Sequence, residues 1–235
     1  MNSDPKLALF VALEAERKPL QRDSAQLSVH QCGPGHANAL HAALACKEGQ
    51  LFGNIGLSGG LTKQLKAGDL VLARQIFGHN QQGEQVCYET DTRQSDLLAE
   101  KIAVAGLRLH EGMVACVSSP LLTPRAKADL GQRTGALTVD MESAALAEAA
   151  GELDKPFFCL RVVCDPVHRS LREQLLVGVD DRGNNRPGRL VLTLLQHPWL
   201  LPPFIAMLRD YNQAARTLTR LGPIFADLFR PEKES

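Results

Sequence analysis

The chain has 235 residues, 44% of them hydrophobic, which suits one sizeable α/β domain or a domain with an extension. Basic and acidic residues balance at 26 each, and no basic run carries interleaved aromatics, so nucleic acid is excluded as the expected partner. The opening residues lack the basic flank of a secretory signal, and no apolar run approaches the roughly 18–20 residues of a membrane span. Cys32, Cys46, Cys87, Cys116, Cys159 and Cys164 form no CxxC pair, which predicts free thiols, no metal site and a cytoplasmic setting.

Leu7 to Leu13 is a continuous apolar run, the mark of a strand buried on both faces. It opens into a turn carrying Glu14 and Glu16. Leu27 to Cys32 reads as a second strand. It is followed by the turn Gly33-Pro34-Gly35-His36 and an Ala-rich helix to about Cys46. That turn lacks the third glycine and the later acidic residue of a dinucleotide site. Leu51 to Leu57 is a strand followed by Ser58-Gly59-Gly60. Glycines after a strand either make a tight turn or let backbone N–H groups approach a ligand.

Gly68 to Ala73 and Val86 to Tyr88 read as strands, and Ser95 to Ala105 as an amphipathic helix. Gly112 to Val117 is a strand, and Pro124 to Arg133 a helix with Pro in its first turn. Val139-Asp140-Met141-Glu142 ends a strand and enters a small-residue helix over Ser143 to Ala150. Glu142 therefore sits at the positive end of a helix, where it either complements the dipole or faces a ligand. Phe157 to Cys164 is the last core strand, ending at Asp165-Pro166. Arg161 lies inside its apolar run and needs a partner, for which Glu142 and Asp165 are candidates. The alternation predicts a three-layer αβα sandwich around a mixed, mostly parallel sheet.

The character then changes, dividing the chain into residues 1–178 and a helical extension over 179–235. Asp180 to Gly188 is a loop, and Arg189 to His197 a helix stopped by Pro198. Pro202-Pro203 opens another helix, and a last one runs from Ala214 to Phe229 with a stripe at Ala214, Leu218, Leu221, Phe225 and Leu228. Trp199, Leu200, Leu201 and Met207 add large apolar side chains. At roughly 1.5–3 kcal/mol each, these require cover from the domain, a second subunit, an apolar ligand or a membrane surface.

Several pieces, in order, resemble the superfamily of purine nucleoside phosphorylases and methylthioadenosine/S-adenosylhomocysteine nucleosidases. They are Ala12-Leu13-Glu14-Ala15-Glu16, Gly33-Pro34-Gly35-His36-Ala37-Asn38-Ala39, Asn54-Ile55-Gly56-Leu57-Ser58-Gly59-Gly60-Leu61, Gly68-Asp69-Leu70-Val71, Val139-Asp140-Met141-Glu142-Ser143-Ala144-Ala145 and Arg161-Val162-Val163-Cys164-Asp165. The tail from Leu176 to Gly183, with Pro198-Trp199-Leu200-Leu201-Pro202, is similar to the bacterial hopanoid-associated phosphorylases. That resemblance implies release of adenine from adenosylhopane by phosphorolysis, with phosphate as co-substrate and no cofactor. The superfamily resemblance further implies at least a homodimer, and the apolar side chains of the C-terminal helices point to an apolar wall for such a substrate or to peripheral membrane contact.

Carried over by position, Asp165 is the acid that protonates or hydrogen-bonds purine N7. Glu142 grips the ribose hydroxyls and Met141 packs beneath the sugar. Glu16 is the carboxylate that activates water in the nucleosidases, and Arg161 orients the acid loop. Leu121, Leu122 and Thr123 fall where the base is sandwiched. Ser58, Gly59 and Gly60 form the turn on the nucleophile or phosphate side. Two positions depart from the nucleosidase pattern: Leu57 replaces a serine of the Gly-rich segment, and Cys164 replaces the serine before the acid. The resemblance in the tail points to phosphate as the attacking group, whereas Glu16 points to water. A hydrolytic methylthioadenosine/S-adenosylhomocysteine nucleosidase and a non-catalytic nucleoside- or lipid-binding protein are the competing functions.

Overall fold

The computed structural model describes residues 6–21 and 24–228. Its strands are β1 (Leu7–Val11), β2 (Leu27–Gln31), β3 (Leu51–Gly60), β4 (Leu70–His79), β5 (Gln85–Glu89), β6 (Leu109–Cys116), β7 (Thr138–Asp140) and β8 (Phe157–Asp165). Its helices are α1 (Glu14–Leu20), α2 (His36–Ala45), α3 (Thr92–Val104), α4 (Pro124–Thr134), α5 (Ser143–Glu152), α6 (Pro187–Gln196) and α7 (Leu201–Asp227).

The sheet is mixed and runs β2-β1-β3-β7-β6-β4-β5. β8 lies off that path, parallel to β3 and antiparallel to β4, so β3, β7, β6, β4 and β8 close on themselves. Closure depends on the two ten-residue strands. β3 pairs with β1 over Leu51 to Asn54 and with β7 at Gly59 and Gly60. β4 pairs with β8 over Leu70 to Leu72 and with β5 from Gln75 onward. Register shifts fall at Ser58/Gly59 and Ala73/Gln75, close to where these partners change. Bulges of this kind bend a strand and raise its twist, which turning the sheet over requires.

Helices cover both faces. α2 and α5 lie together on one side, where Ala39, Ala43, Ala144, Ala145 and Ala149 are buried and side-chain bulk is too small to hold the helices off the sheet. α1, α3 and α7 cover the other side. There Ala214, Leu218, Leu221 and Phe225 of α7 join one apolar core with Leu9, Ile55 and Phe158. Phe225 stacks on Phe158 with ring centroids 6.1 Å apart. The sandwich is thus as expected from the alternation of elements.

Three local expectations change. The chain after β1 is the helix α1 rather than a turn, and it buries Glu16. The glycines Gly59 and Gly60 continue β3 instead of turning after it. The two last predicted helices are one, α7, which carries Pro202 and Pro203 in its first turn, where a missing N–H costs no helical bond, and runs unbroken past Tyr211 into Ala214. Phe229, the predicted end of that helix, lies outside the described residues.

Because α7 is held chiefly by this apolar stripe, Phe225→Ala should destabilise the chain by about 3–5 kcal/mol. Urea unfolding followed by circular dichroism measures it. A loss below about 1 kcal/mol would mean that α7 contributes little to the core.

Candidate active site

A cavity of about 270 Å³ opens beside the ends of β3, β7 and β8. Four acids line it: Glu16, Asp140, Glu142 and Asp165. A larger hollow of about 920 Å³, lined by His36, Phe77 and Arg133 among others, contains no carboxylate. The smaller cavity is therefore the one that gathers the acids singled out in the sequence.

Glu16 is buried on α1 and held by three backbone donors. Ala12 and Leu13 donate N–H groups to Oε2 at 2.9 and 2.8 Å, and Leu57 donates to Oε1 at 2.7 Å. The Leu57 contact uses only backbone, so the absent serine does not disturb it. Burial raises the pKa of Glu16, and these N–H groups work against that rise. A Cβ at Gly56 would sit 2.9 Å from Glu16 Oε1 and 2.5 Å from Arg161 Nη1, so only glycine lets those two groups approach.

Glu142 is the N-cap residue of α5 but makes no capping hydrogen bond from its side chain. Asp140 takes that role, its Oδ1 accepting from Ser143 Oγ at 2.8 Å and from Ser143 N–H at 3.3 Å. Glu142 is thereby free to line the cavity, where its Oε1 accepts from the Gly35 N–H at 2.9 Å. Burial, then the neighbouring Asp140 carboxylate, raises its pKa to about 7, while Arg161 works to lower it.

Asp165 ends β8. Its Oδ2 is 2.5 Å from Lys127 Nζ, and its Oδ1 is buried without a hydrogen-bond partner among the described residues. Burial raises its pKa, and Lys127 opposes the rise. Lys127 also donates to the carbonyls of Arg169 at 2.9 Å and Pro166 at 3.4 Å, pinning the segment that follows the acid. Arg161 does not reach Asp165. Its Nη2 pairs with Asp140 Oδ2 at 2.5 Å and donates to Asn54 Oδ1, so the expected partners Glu142 and Asp165 are replaced by Asp140. Arg161 and Asp165 are four residues apart on β8, roughly 13 Å along an extended strand, so the guanidinium finds its carboxylate on β7 instead.

Met141, Cys164, Ser58 and Gly59 also line the cavity. Burial pushes the Cys164 thiol up to about 12, leaving it protonated. The Ser58 hydroxyl is taken by Thr138 Oγ1, which donates to it at 2.7 Å. Gly60 lies outside the lining, its backbone in the ladder to Thr138, so Ser58 to Gly60 is not an open cradle of N–H groups. Pro120 and Leu121 form the apolar wall, whereas Leu122 and Thr123 do not reach it. Thr123 caps α4 by accepting from the Ala126 N–H, and the Leu122 carbonyl accepts from the Leu171 N–H. Sequence reasoning missed Lys127, Asn54 and the role of Asp140. For Lys127 there was a signal: it is three residues before Leu130, in the buried register of α4.

The sequence model of the Phosphorylase superfamily matches residues 17–196. A 5′-methylthioadenosine/S-adenosylhomocysteine nucleosidase of Maridesulfovibrio salexigens is 23% identical over 189 residues, 73% of this chain and 81% of that protein. Nucleosidases of the same name from an Exiguobacterium and from Thermotoga maritima are 25% and 30% identical. The chain spans 54% of the first and 36% of the second. The fold is shared with the Helicobacter pylori nucleosidase of that name, at a TM-score of 0.66 and 16% identity over 94% of this chain and 99% of the other. Futalosine hydrolase of Helicobacter pylori has a TM-score of 0.65 at 17% identity, over 94% and 98% of the two chains.

The Lys127–Asp165 pair sets a pH-dependent expectation. The folded pKa of Asp165 is raised, so its contribution to stability is complete below the unfolded value of about 3.9 and is lost as pH rises through the folded value. Lys127→Met removes the opposing charge and enlarges that loss. We expect a cost of about 3–5 kcal/mol near neutral pH and a smaller one near pH 4. Adding Asp165→Asn should recover most of it. Urea titrations across pH decide this, and a cost independent of pH would contradict the pairing.

Proposed function

This chain belongs to the phosphorylase superfamily, and from that premise we propose that it cleaves the N-glycosidic bond of a 5′-substituted adenosine and releases adenine. The observation that carries the reading is the unpartnered Oδ1 of Asp165 in a cavity that also presents Glu142 and Glu16. Adenine leaves poorly as an anion. A proton delivered by Asp165 to N7 makes it a neutral leaving group. Glu142 accepts from the ribose hydroxyls, and its charge favours the oxocarbenium-like sugar as the bond breaks. Met141 packs against the sugar, and Pro120 and Leu121 against the base.

Water is the attacking group in this proposal, with Glu16 taking its proton. Support comes from the placement of cations. Arg17 donates to Gln21, and Lys18 pairs with Glu14 at 2.8 Å, so neither lines the cavity. Lys127 is the only basic side chain of the described lining, and it is already paired with Asp165. An incoming phosphate would meet carboxylates rather than a free cation. Phosphorolysis of adenosylhopane is the second reading. The tail resemblance supports it, as do the large apolar side chains left exposed after residue 178. We assign the chemistry to residues 1–178, a helical extension packed on that domain to 179–235, and the working unit to a homodimer.

Adenine release from methylthioadenosine and from an adenosine with a long apolar 5′ group tests the reaction class. Asp165→Asn should lower kcat about 10²–10⁴-fold while leaving the fold intact. Glu142→Gln should cost about 1.5–3 kcal/mol in kcat/KM, the worth of a charged hydrogen bond. Wild-type rates in both variants, or adenine binding without cleavage of either nucleoside, would overturn the proposal.

A further inference from the structure

The segment after the cavity rim has a composition and exposure that the catalytic reading leaves unused. α6 turns Val191, Leu192 and Leu195 outward, and Leu195 is 75% exposed. Leu201, Ile205 and Leu208 recur at helical spacing along the exposed face of α7. Trp199, 67% exposed, sits between the two stripes, where the helices are bent by 114°. No single helix among the described residues is long and apolar enough to cross a membrane.

The charge of the same segment has one sign. Residues 182–220 contain Arg182, Arg186, Arg189, Arg209, Arg216 and Arg220, all exposed. Asp210 is the only acid in that stretch, and it is buried and paired with Arg169 at 2.6 Å. Upstream, Asp180 holds Arg186, and Asp181 and Glu173 are exposed. The overall chain is neutral, so this is a local concentration of positive charge around exposed apolar side chains.

We propose that the edge formed by α6, Trp199 and the first half of α7 docks on a membrane surface rich in anionic lipid. Its apolar side chains enter the headgroup boundary and its arginines meet the lipid phosphates. Outward-facing Leu, Ile and Trp flanked by arginine are what an interfacial helix needs, and neither part alone would hold. The docking edge connects to the cavity through the intervening chain. Leu171 lines the cavity, and the Gly183 carbonyl accepts from the Glu14 N–H. Docking does not depend on the bond-cleavage reading. If both hold, a nucleoside with an apolar 5′ group reaches the cavity from the bilayer side.

Trp199 is the only tryptophan of the chain, so its emission reports this edge alone. The full chain should cosediment with phosphatidylglycerol-containing vesicles, with a blue shift of that emission, and bind pure phosphatidylcholine vesicles far more weakly. Added salt should release it. Arg189→Gln and Arg209→Gln should each weaken binding about fivefold. Leu192→Ser with Leu195→Ser should weaken it roughly tenfold or more. In all three variants, circular dichroism and adenine release from methylthioadenosine should match the parent, which separates this test from that of the reaction. Absence of cosedimentation and of the shift would overturn docking. So would unchanged binding by the leucine variant, or a lipid-free blue shift that rises with protein concentration, which would give the edge to a second copy.

Discussion

Arg161 is the interaction on which the site depends. A guanidinium 1% exposed, in the middle of an apolar strand, would be untenable without charge compensation. It pairs with Asp140 and bonds Asn54, and over Gly56 it approaches Glu16. Asp140 in turn caps α5, which leaves Glu142 free for the cavity. One buried cation thus fixes the position of a helix and of two carboxylates. Even so, four acids in the cavity face two cations, Arg161 and Lys127. Burial with insufficient positive charge drives protons onto carboxylates, and the raised values of Glu142, Glu16 and Asp165 all follow that direction. The proposed reaction uses such a proton on Asp165 alone, whereas Glu142 and Glu16 act in their charged forms.

The topology brings these groups together. β3 and β4 each change partners along their length, so the sheet closes and the ends of β3, β7 and β8 converge. Glu142 follows β7, Asp165 ends β8, and Glu16 arrives from α1 to meet the backbone of β3. Gly59 eases that convergence, since a Cβ there would lie a tight 3.1 Å from Val139 Cγ1. α7 then closes the face behind the site, and the pair Arg169–Asp210 links it to the segment after the acid.

Much of this was legible in the sequence because local pattern and tertiary role agree. β1 and β8 are continuous apolar runs and are buried along almost their whole lengths. Arg161 stood out by breaking such a run, and the stripe from Ala214 to Leu228 is the buried face of α7. The rest depends on contacts between distant segments. Sheet closure comes from partner exchange, which no periodicity encodes. The pairing of Lys127 with Asp165 spans two elements distant in sequence, and a lone lysine reads as solvated until the fold brings the two together. Ser58 to Gly60 looked like a turn because consecutive glycines usually mark one, yet here they admit Val139 and Pro166 beside a strand.

The most direct test of the account is adenine release in phosphate-free and phosphate-saturated buffer, with the sugar product identified by mass. If Glu16 activates water in a cavity whose described lining offers no free cation, release is independent of phosphate, the product is the free ribosyl sugar, and Glu16→Gln abolishes turnover. Release that requires phosphate and yields a ribosyl 1-phosphate would contradict the account and leave the buried Glu16 without a catalytic role.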